Sequence, residues 1–597
     1  MRVRSRRGLG ALTVAVALAA TAAAPVAAQQ QTVPEAVPVP EAVTTAQEMV
    51  VTANPLATRA GEQVLRNGGT AADAAVAAQT VLGLVEPQSS GLGGGAFVVW
   101  HDGASGEITT YDGREKAPLA ATEDRFAGLS FTDAWQSGLS AGVPGTPALM
   151  EEIHTRHGAL PWQRLFAPGL RLALGGYEMT DRTAALVDSY LANNDSCSDR
   201  LFFRDPVAFE YYTNGSETDC AAKPGGTRMR NPDYADTLKT LRDEGAEGFY
   251  TGQLAEAVVE AVQGDPHLPG DMTLEDLADY EVAERSPVCS DYRGHEVCGM
   301  GPPSSGALAV GQMLGILEHF DLGDDPLDPD AVHLFAQAGR LAFADRNLYV
   351  GDADFVTVPA EGMLDPDYLA ERAGLITDED MGTAEPGIPP GEFDPTAPQT
   401  ESNESGTSHV SVVDRYGNAL SMTTTVESGF GNGVMVDGGG FLLNNELTDF
   451  SFAAADAEGT PIANRVQPGK RPRSSMSPTI VRDAEGSLEL VTGSPGGSRI
   501  IGYTAQSIVN VIDFGLDPQQ AINVPHVQNN NGSTALEPPI PGVTLDYDVA
   551  ALRAALEARG HPVTVTEQAS GLSVIQVTSE GLVGGADYRR DGSIGGR

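Results

Sequence analysis

The stretch "NESGTSHVSVVD", Asn403 to Asp414, puts a threonine at the mouth of an alternating strand. Thr407 follows Gly406 and a polar, turn-prone run. A threonine hydroxyl is a poor nucleophile until a base takes its proton. Two arrangements could supply that base. Side chains two apart in a strand share a face, so the His409 imidazole could serve Thr407 as in a serine-type triad. Alternatively, a cut between Gly406 and Thr407 would free an α-amine beside the threonine's own hydroxyl. A free α-amine has a pKa of about 7.7–8.0, so about a tenth of it is neutral at pH 7. Nucleophile and base would then be one residue, and the small Gly406 would leave Thr407 Oγ1 room to attack the preceding carbonyl. Against both stands the plain reading of Thr407 as a structural residue at a strand start.

The surrounding pattern says what must hold this threonine. "HVSVV" alternates, "DRYGN" turns and "ALSMTTTV" returns, which predicts a hairpin. Further strands are expected at "PTIV", "LELVTG" and "SVIQVTS", and the apolar spacing of "TAQSIVNVIDFG" predicts a helix. Upstream, "NPLATRAGEQVLRNGG" reads as a helix stopped by Gly68-Gly69, and "TAADAAVAAQTVLGLVEP" as a buried Ala-rich helix. "SSGLGGGAFVVW" is a glycine turn entering an apolar strand. Because it precedes a strand and not a helix, it signals close backbone packing rather than phosphate binding. Runs of strands and runs of helices in one unit indicate an α+β layered fold. Leu375 to Gly406 lacks any period and reads as a long exposed loop that ends at Thr407.

The chain has 597 residues and a net charge of −44, with 41% hydrophobic and 20% charged residues. That is globular composition, and the acidity argues against nucleic acid and anionic membrane as partners. Arg2, Arg4, Arg6 and Arg7, the apolar run Leu9 to Ala24, and Val26-Ala27-Ala28 before Gln29 form an export signal over residues 1–28. Residues 29–47, with "VPEAVPVPEAV", read as a disordered spacer, and order is expected to begin near Met49. An exported chain permits disulfides. Of the three pairings open to Cys197, Cys220, Cys289 and Cys298, the two local ones are the natural expectation. There is no CxxC. His154 and His157 of "HTRH" lack a third ligand and read as surface histidines, so no metal and no cofactor is expected.

Taken in order, "VEPQSSGLGGGAF", "DGREKAP", "PPSSG", "TSHVSVVDRYGNALSMTTT", "LLNNELTDF", "GKRPRSSMSPTIV" and "TGSPGGSRII" resemble the γ-glutamyltranspeptidase family (γ-glutamyltransferase, glutathione hydrolase). The resemblance runs from "NPLATRAGEQVLRNGG" to "GGADYRRDG". It implies an N-terminal nucleophile hydrolase fold, a four-layer αββα sandwich. It also implies self-cleavage into a large subunit, residues 48–406, and a small subunit, residues 407–597, which stay together. Thr407 becomes the catalytic nucleophile, and Thr425 matches the family's supporting threonine.

The family's donor pocket maps onto residues whose chemistry suits a γ-glutamyl group. Arg114 matches the arginine that grips the α-carboxylate, a task for a guanidinium fork. Ser474 and Ser475 can donate hydroxyl hydrogen bonds to the same group. Glu446 and Asp449 can accept from the α-ammonium. So can Glu427, where some members carry Asn. Gly496 and Gly497 match the oxyanion hole, where backbone N–H groups need close approach. The implied reaction passes a γ-glutamyl group from glutathione or another γ-glutamyl compound, through a threonine ester, to water or to an amino-acid or peptide acceptor.

One segment departs from the family. "SFAAADAEGTPIANRVQP" stands where some members carry a lid with a tyrosine and others a much shorter stretch. It is intermediate and lacks Tyr and Trp. Two other readings stay open on the sequence: a related cephalosporin (glutaryl) acylase, whose substrate need not carry an α-ammonium, and a catalytically inactive secreted binding protein of the same fold.

Overall fold

Residues 39–192, 197, 201–215, 220–399 and 406–597 are described by a computed structural model. The expected export signal and most of the expected spacer lie outside them. The alternation after Thr407 becomes a hairpin, Ser408–Val413 paired antiparallel with Ala419–Thr425. Asp414 Oδ1 closes the turn by accepting from the N–H groups of Tyr416 and Asn418 at 2.8 and 3.0 Å.

This hairpin is the centre of a seven-stranded antiparallel sheet. Its order is Ser593–Gly596, Met49–Thr52, Ser408–Val413, Ala419–Thr425, Gly95–His101, Ile108–Gly113 and Ala283–Arg285. A second seven-stranded antiparallel sheet runs Val43–Thr45, Gly581–Ala586, Ser573–Thr578, Leu488–Gly493, Thr479–Arg482, His295–Gly299 and Val288–Tyr292. The two-residue period of a strand divides its side chains between two cores. Met49, Val51, Val99 and Val413 meet Ile480, Val491 and Ile575 between the sheets. Val50, Val98, Val410 and Val412 face the other way, onto helices. Beyond the second sheet, Val297, Val481, Leu490 and Val574 pack on the helices Gly306–Leu317, Pro329–Tyr349 and Ile500–Ile512. The layers are therefore helix, sheet, sheet, helix, the N-terminal nucleophile hydrolase fold that the motifs imply.

The first two helices begin where their caps place them. Asn54 Oδ1 caps Pro55–Arg66 by accepting from Leu56 N, with Pro55 at the first helical position. Thr70 and Asp73 form a capping box on Ala71–Val85. The Ala-rich second helix is buried on every side except at Gly83, since small side chains let it lie close against its neighbours.

Three sequence expectations change. The spacer does not extend to residue 47: Val43–Thr45 is a strand whose register Val43↔Gly584 and Thr45↔Leu582 adds an edge to the second sheet. Residues 375–399 have no helix or strand, but they are not simply exposed. Arg340 pairs with Asp380 at 2.9 Å, Tyr349 Oη donates to Gly387 O at 2.6 Å, and Gln399 N donates to Asn347 O at 2.9 Å. His154 and His157 are only partly exposed: His157 stacks on Trp100, ring centres 4.2 Å apart, with its Nε2 2.7 Å from Tyr111 Oη. Cys197 is bonded to Cys220, and Cys289 to Cys298. Among the described residues no helix is long and apolar enough to cross a membrane.

Candidate active site

The hairpin register pairs Ser408 with Thr424, and one step further it sets Thr407 opposite Thr425. Their hydroxyl oxygens are 3.1 Å apart. Thr425 Oγ1 also accepts from Glu427 N at 2.8 Å. Thr407 is 4% exposed and has φ of 85°, as Glu427 has φ of 73°. A β-branched residue in the left-handed region is strained by roughly 1–3 kcal/mol, and its surroundings must hold it there. Three contacts do so. Thr407 N donates to Ser89 O at 3.0 Å, Arg590 Nη1 donates to Thr407 O at 2.8 Å, and Ser408 Oγ donates to Glu86 Oε2 at 2.8 Å. Gly406 packs so closely that a Cβ there would stand 1.9 Å from Glu427 O, and a Cβ on Gly94 would stand 1.9 Å from Thr425 O.

His409 is not the base. It shares the sheet-to-sheet face with Thr407, as alternation requires, but its ring points along the strand pair. Its Nδ1 lies 2.9 Å from Thr423 Oγ1, and its Nε2 3.2 Å from Ser411 Oγ and 3.4 Å from Ser421 Oγ. Burial lowers its pKa to about 3, so it is neutral and structural between the sheets.

Arg114, Glu446 and Asp449 form one buried ion cluster rather than two separate holders. Arg114 Nη1 donates to Glu446 Oε1 and Nη2 to Asp449 Oδ2. The rest of the fork is fixed by Arg473 O at 3.0 Å and Pro472 O at 3.2 Å. Burial opposes the charge on Arg114, but Glu446, Asp449 and Glu115 together raise its pKa. Burial also raises Asp449 to about 7, against the pull of Arg114. Neighbouring Glu115, wholly buried, is raised to about 7 by the same cause. Ser474 and Ser475 follow directly on the carbonyls that hold Arg114. Ser474 Oγ accepts from Met476 N at 3.1 Å, and Ser475 Oγ accepts from Arg346 Nη2 at 2.7 Å. Glu427 joins this cluster to the threonines: its Oε2 accepts from Asn445 Nδ2, next in sequence to Glu446.

Gly496 and Gly497 have φ of 132° and 62°, a conformation that suits glycine, just before the helix Ile500–Ile512. Among the described residues neither N–H has an acceptor, so both are available as donors. Arg590 ties this turn toward Thr407: its Nη2 donates to Ala569 O at 3.0 Å, and a Cβ on Gly496 would lie 3.7 Å from that same oxygen.

A family model described as Gamma-glutamyltranspeptidase matches residues 57–596. The chain belongs to the γ-glutamyltranspeptidase family. It is 36% identical over 499 residues to the "Glutathione hydrolase proenzyme" of Bacillus subtilis (strain 168), covering 81% of each chain. It is also 36% identical over 561 residues to the "Glutathione hydrolase proenzyme" of Escherichia coli (strain K12), covering 91% of this chain and 90% of that one. Among solved structures, the cephalosporin acylase from Bacillus halodurans superposes with a TM-score of 0.80 at 28% identity, over 95% of this chain and 99% of the other.

Within this γ-glutamyltranspeptidase-family chain, sequence reasoning passed over Ser89, Glu86, Asn445, Arg346 and Arg590. Ser89 and Arg590 sit in "VEPQSSGLGGGAF" and "GGADYRRDG", motifs that were legible as motifs but gave no hint of contact with Thr407. The segment 451–468 folds back on itself, with Ile462 N donating to Ala454 O at 2.9 Å and Ser451 N to Asn464 O at 2.9 Å. Sequence reading also passed over a GxSxG at Gly138 to Gly142; no strand leads into it, and Ser140 Oγ donates to the carbonyls of Trp135 and Ser137, each at 2.8 Å. That hydroxyl is committed to backbone carbonyls.

Proposed function

We propose that this chain is a self-processing γ-glutamyl hydrolase/transferase, exported by the segment 1–28, which cleaves glutathione and other γ-glutamyl amides. One observation carries the reading: hydrogen bonds run from the Thr407 hydroxyl through Thr425 and Glu427 to Asn445, whose chain neighbour Glu446 accepts from the Arg114 guanidinium. It joins a candidate nucleophile to a buried cluster of both charge signs, which suits a group with an α-carboxylate and an α-ammonium. The names of the relatives, glutathione hydrolase and proenzyme, support the donor class and a precursor that is cut.

Processing begins with Thr407 Oγ1 attacking the Gly406 carbonyl. The positive φ of Thr407 favours the cut, because φ is no longer constrained once the preceding carbonyl is gone. Hydrolysis of the ester leaves the large subunit ending at Gly406 and the small subunit beginning at Thr407. In turnover, the Thr407 α-amine takes the hydroxyl proton as Oγ1 attacks the γ-glutamyl amide. The Thr425 hydroxyl supports Oγ1, and the Gly496 and Gly497 N–H groups stabilise the oxyanion, each such donor contributing about 3–4 kcal/mol. The amine leaves with the proton, and water or an amino-acid or peptide amine resolves the ester. Arg114, with Ser474 and Ser475, holds the donor α-carboxylate; Glu427, Glu446 and Asp449 hold its ammonium. The cluster must open to admit them, the substrate carboxylate replacing an acid on Arg114.

The test is to purify the exported protein, separate it by denaturing electrophoresis and sequence the smaller band. The expected start is Thr-Ser-His-Val-Ser, and Thr407→Ala should stay uncut and inactive. A single intact chain that hydrolyses γ-glutamyl-p-nitroanilide would sink the reading. The full-length likeness to a cephalosporin acylase favours a second reading, a glutaryl acylase. Glutaryl-p-nitroanilide lacks the ammonium, so preferential cleavage of it over the γ-glutamyl substrate would select that reading.

A further inference from the structure

Arg590 is a buried cation in unusual company. It is 5% exposed, and its partners are neutral: Thr407 O at 2.8 Å, Ala569 O at 3.0 Å, Ser570 O at 3.2 Å and Ser89 Oγ at 3.4 Å. Among the described residues no carboxylate forms an ion pair with it. The adjacent Arg589 is the contrast, paired with Glu537 at 2.6 Å and Asp587 at 3.3 Å. A buried guanidinium satisfied only by carbonyls and a hydroxyl leaves its charge uncompensated by a direct partner, and the field of that charge reaches whatever lies beside it. What lies beside it is the backbone of Thr407.

Covalent geometry keeps a residue's nitrogen within about 4 Å of its own carbonyl oxygen. With the 2.8 Å bond to the Thr407 oxygen, this keeps the guanidinium within about 7 Å of the Thr407 nitrogen, near enough for its charge to disfavour a second cation there. We propose that Arg590 is a positioning residue for the nucleophile: it pins the Thr407 carbonyl and, once the chain is cut, keeps the new α-amine in its neutral, proton-accepting form. The proposal rests on Thr407 being the N-terminal nucleophile.

The carboxylates around this point are of the opposite sign, and the nearest are engaged by other partners. Glu86 is reached through Ser408, but its second oxygen accepts from Arg182 Nη1 at 3.0 Å, so it is already engaged by a cation. Asp587 is turned to Arg589, Ser570 Oγ and Leu572 N. Asp591 acts on Glu86. The Glu427 carboxylate is directed to Asn445 and Ser428. Burial lowers the pKa of Arg590 to about 9, Arg182 adds to this, and Glu86, Asp587 and Tyr503 oppose it, so Arg590 remains charged at neutral pH.

The sign of the effect follows. A nearby cation lowers the amine pKa, which enlarges the fraction of base below pH 8. The experiment is the pH profile of kcat/KM for γ-glutamyl-p-nitroanilide with the processed enzyme. Its acid limb reports the protonation of the α-amine. Arg590→Met should move that limb up by about one pH unit, a loss of about tenfold near pH 6 that shrinks toward pH 9. Arg590→Lys, which keeps the charge, should return the limb toward its wild-type position. Glu86→Gln removes a negative charge and should move the limb the other way. If Arg590→Met remains uncut, the Glu86→Gln and Arg590→Lys profiles decide. Limbs that coincide with wild type while kcat alone falls would reduce Arg590 to a structural residue and overturn the proposal. A wild-type small chain that does not begin at Thr407 would instead remove the nucleophile reading, a separate failure seen before any profile is measured.

Discussion

Thr425 Oγ1 stands 3.1 Å from Thr407 Oγ1 while accepting the Glu427 N–H at 2.8 Å. One lone pair of Thr425 is occupied by an amide, and its hydroxyl proton is available to the Thr407 oxygen. Thr425→Ala should lower kcat by about tenfold to a hundredfold, the range for one lost hydrogen bond to a group gaining charge. Thr425→Ser keeps the oxygen and should recover most of that loss. Steady-state kinetics of both variants check this; equal activities in Ala and Ser would place the effect elsewhere.

Gly406 has no room for a side chain, since a Cβ would meet Glu427 O at 1.9 Å. Gly406→Ala should push the Gly406–Thr407 peptide out of line and leave the chain largely uncut, with a stability cost of about 1–3 kcal/mol for overpacking. A time course on denaturing gels, beside thermal unfolding, measures both. Processing at the wild-type rate would show that the close contact does not govern the cut.

Arg114 engages Glu446 and Asp449 with separate nitrogens. Arg114→Lys keeps the charge but loses the fork. The expected cost is about 2–4 kcal/mol of donor binding, a rise in KM of roughly 30-fold or more. Arg114→Ala also leaves two buried carboxylates without their cation, which should cost about 3–5 kcal/mol of stability. Thermal unfolding near neutral pH, where Asp449 titrates, separates the two variants; an unchanged KM in both would reject Arg114 as the carboxylate holder.

Glu115 is raised by burial from the ordinary value of 4.5 to about 7. Between those values the folded protein keeps a proton that the unfolded chain has released, so stability falls as pH rises through that window. The loss is complete above pH 7 and is on the order of 3 kcal/mol. Glu115→Gln cannot ionise and should flatten this slope, gaining most at pH 8 and nothing near pH 4. Denaturant unfolding at both pH values tests it, and parallel curves for variant and wild type would assign the slope to another group.

The hairpin around Thr407 was legible because it is local. Its alternation, its "DRYGN" turn and the facing of Thr407 with His409 follow from a two-residue period along a single stretch. The stop of the first helix at Gly68-Gly69 was equally local, as was the glycine turn at Gly93 to Gly95 that meets backbone rather than phosphate. The outcome for His409 was not legible. Spacing put it on the face of Thr407, but only the second sheet, arriving at Gly493, decides that its ring bonds Thr423 and Ser411 instead.

By itself, the sequence determined the fold class and, through its ordered motifs, the family; the cut before Thr407 and the roles of the charged residues around Arg114 are its expectations. Tertiary structure alone decided that Arg114 lies between Glu446 and Asp449, that Val43–Thr45 is a sheet edge, and that Arg590 reaches Thr407 from 183 residues away. The reason is physical. Periodicity and turn chemistry act over a few residues, whereas the neighbours of a buried charge depend on how two sheets stack and which distant loops close over their ends.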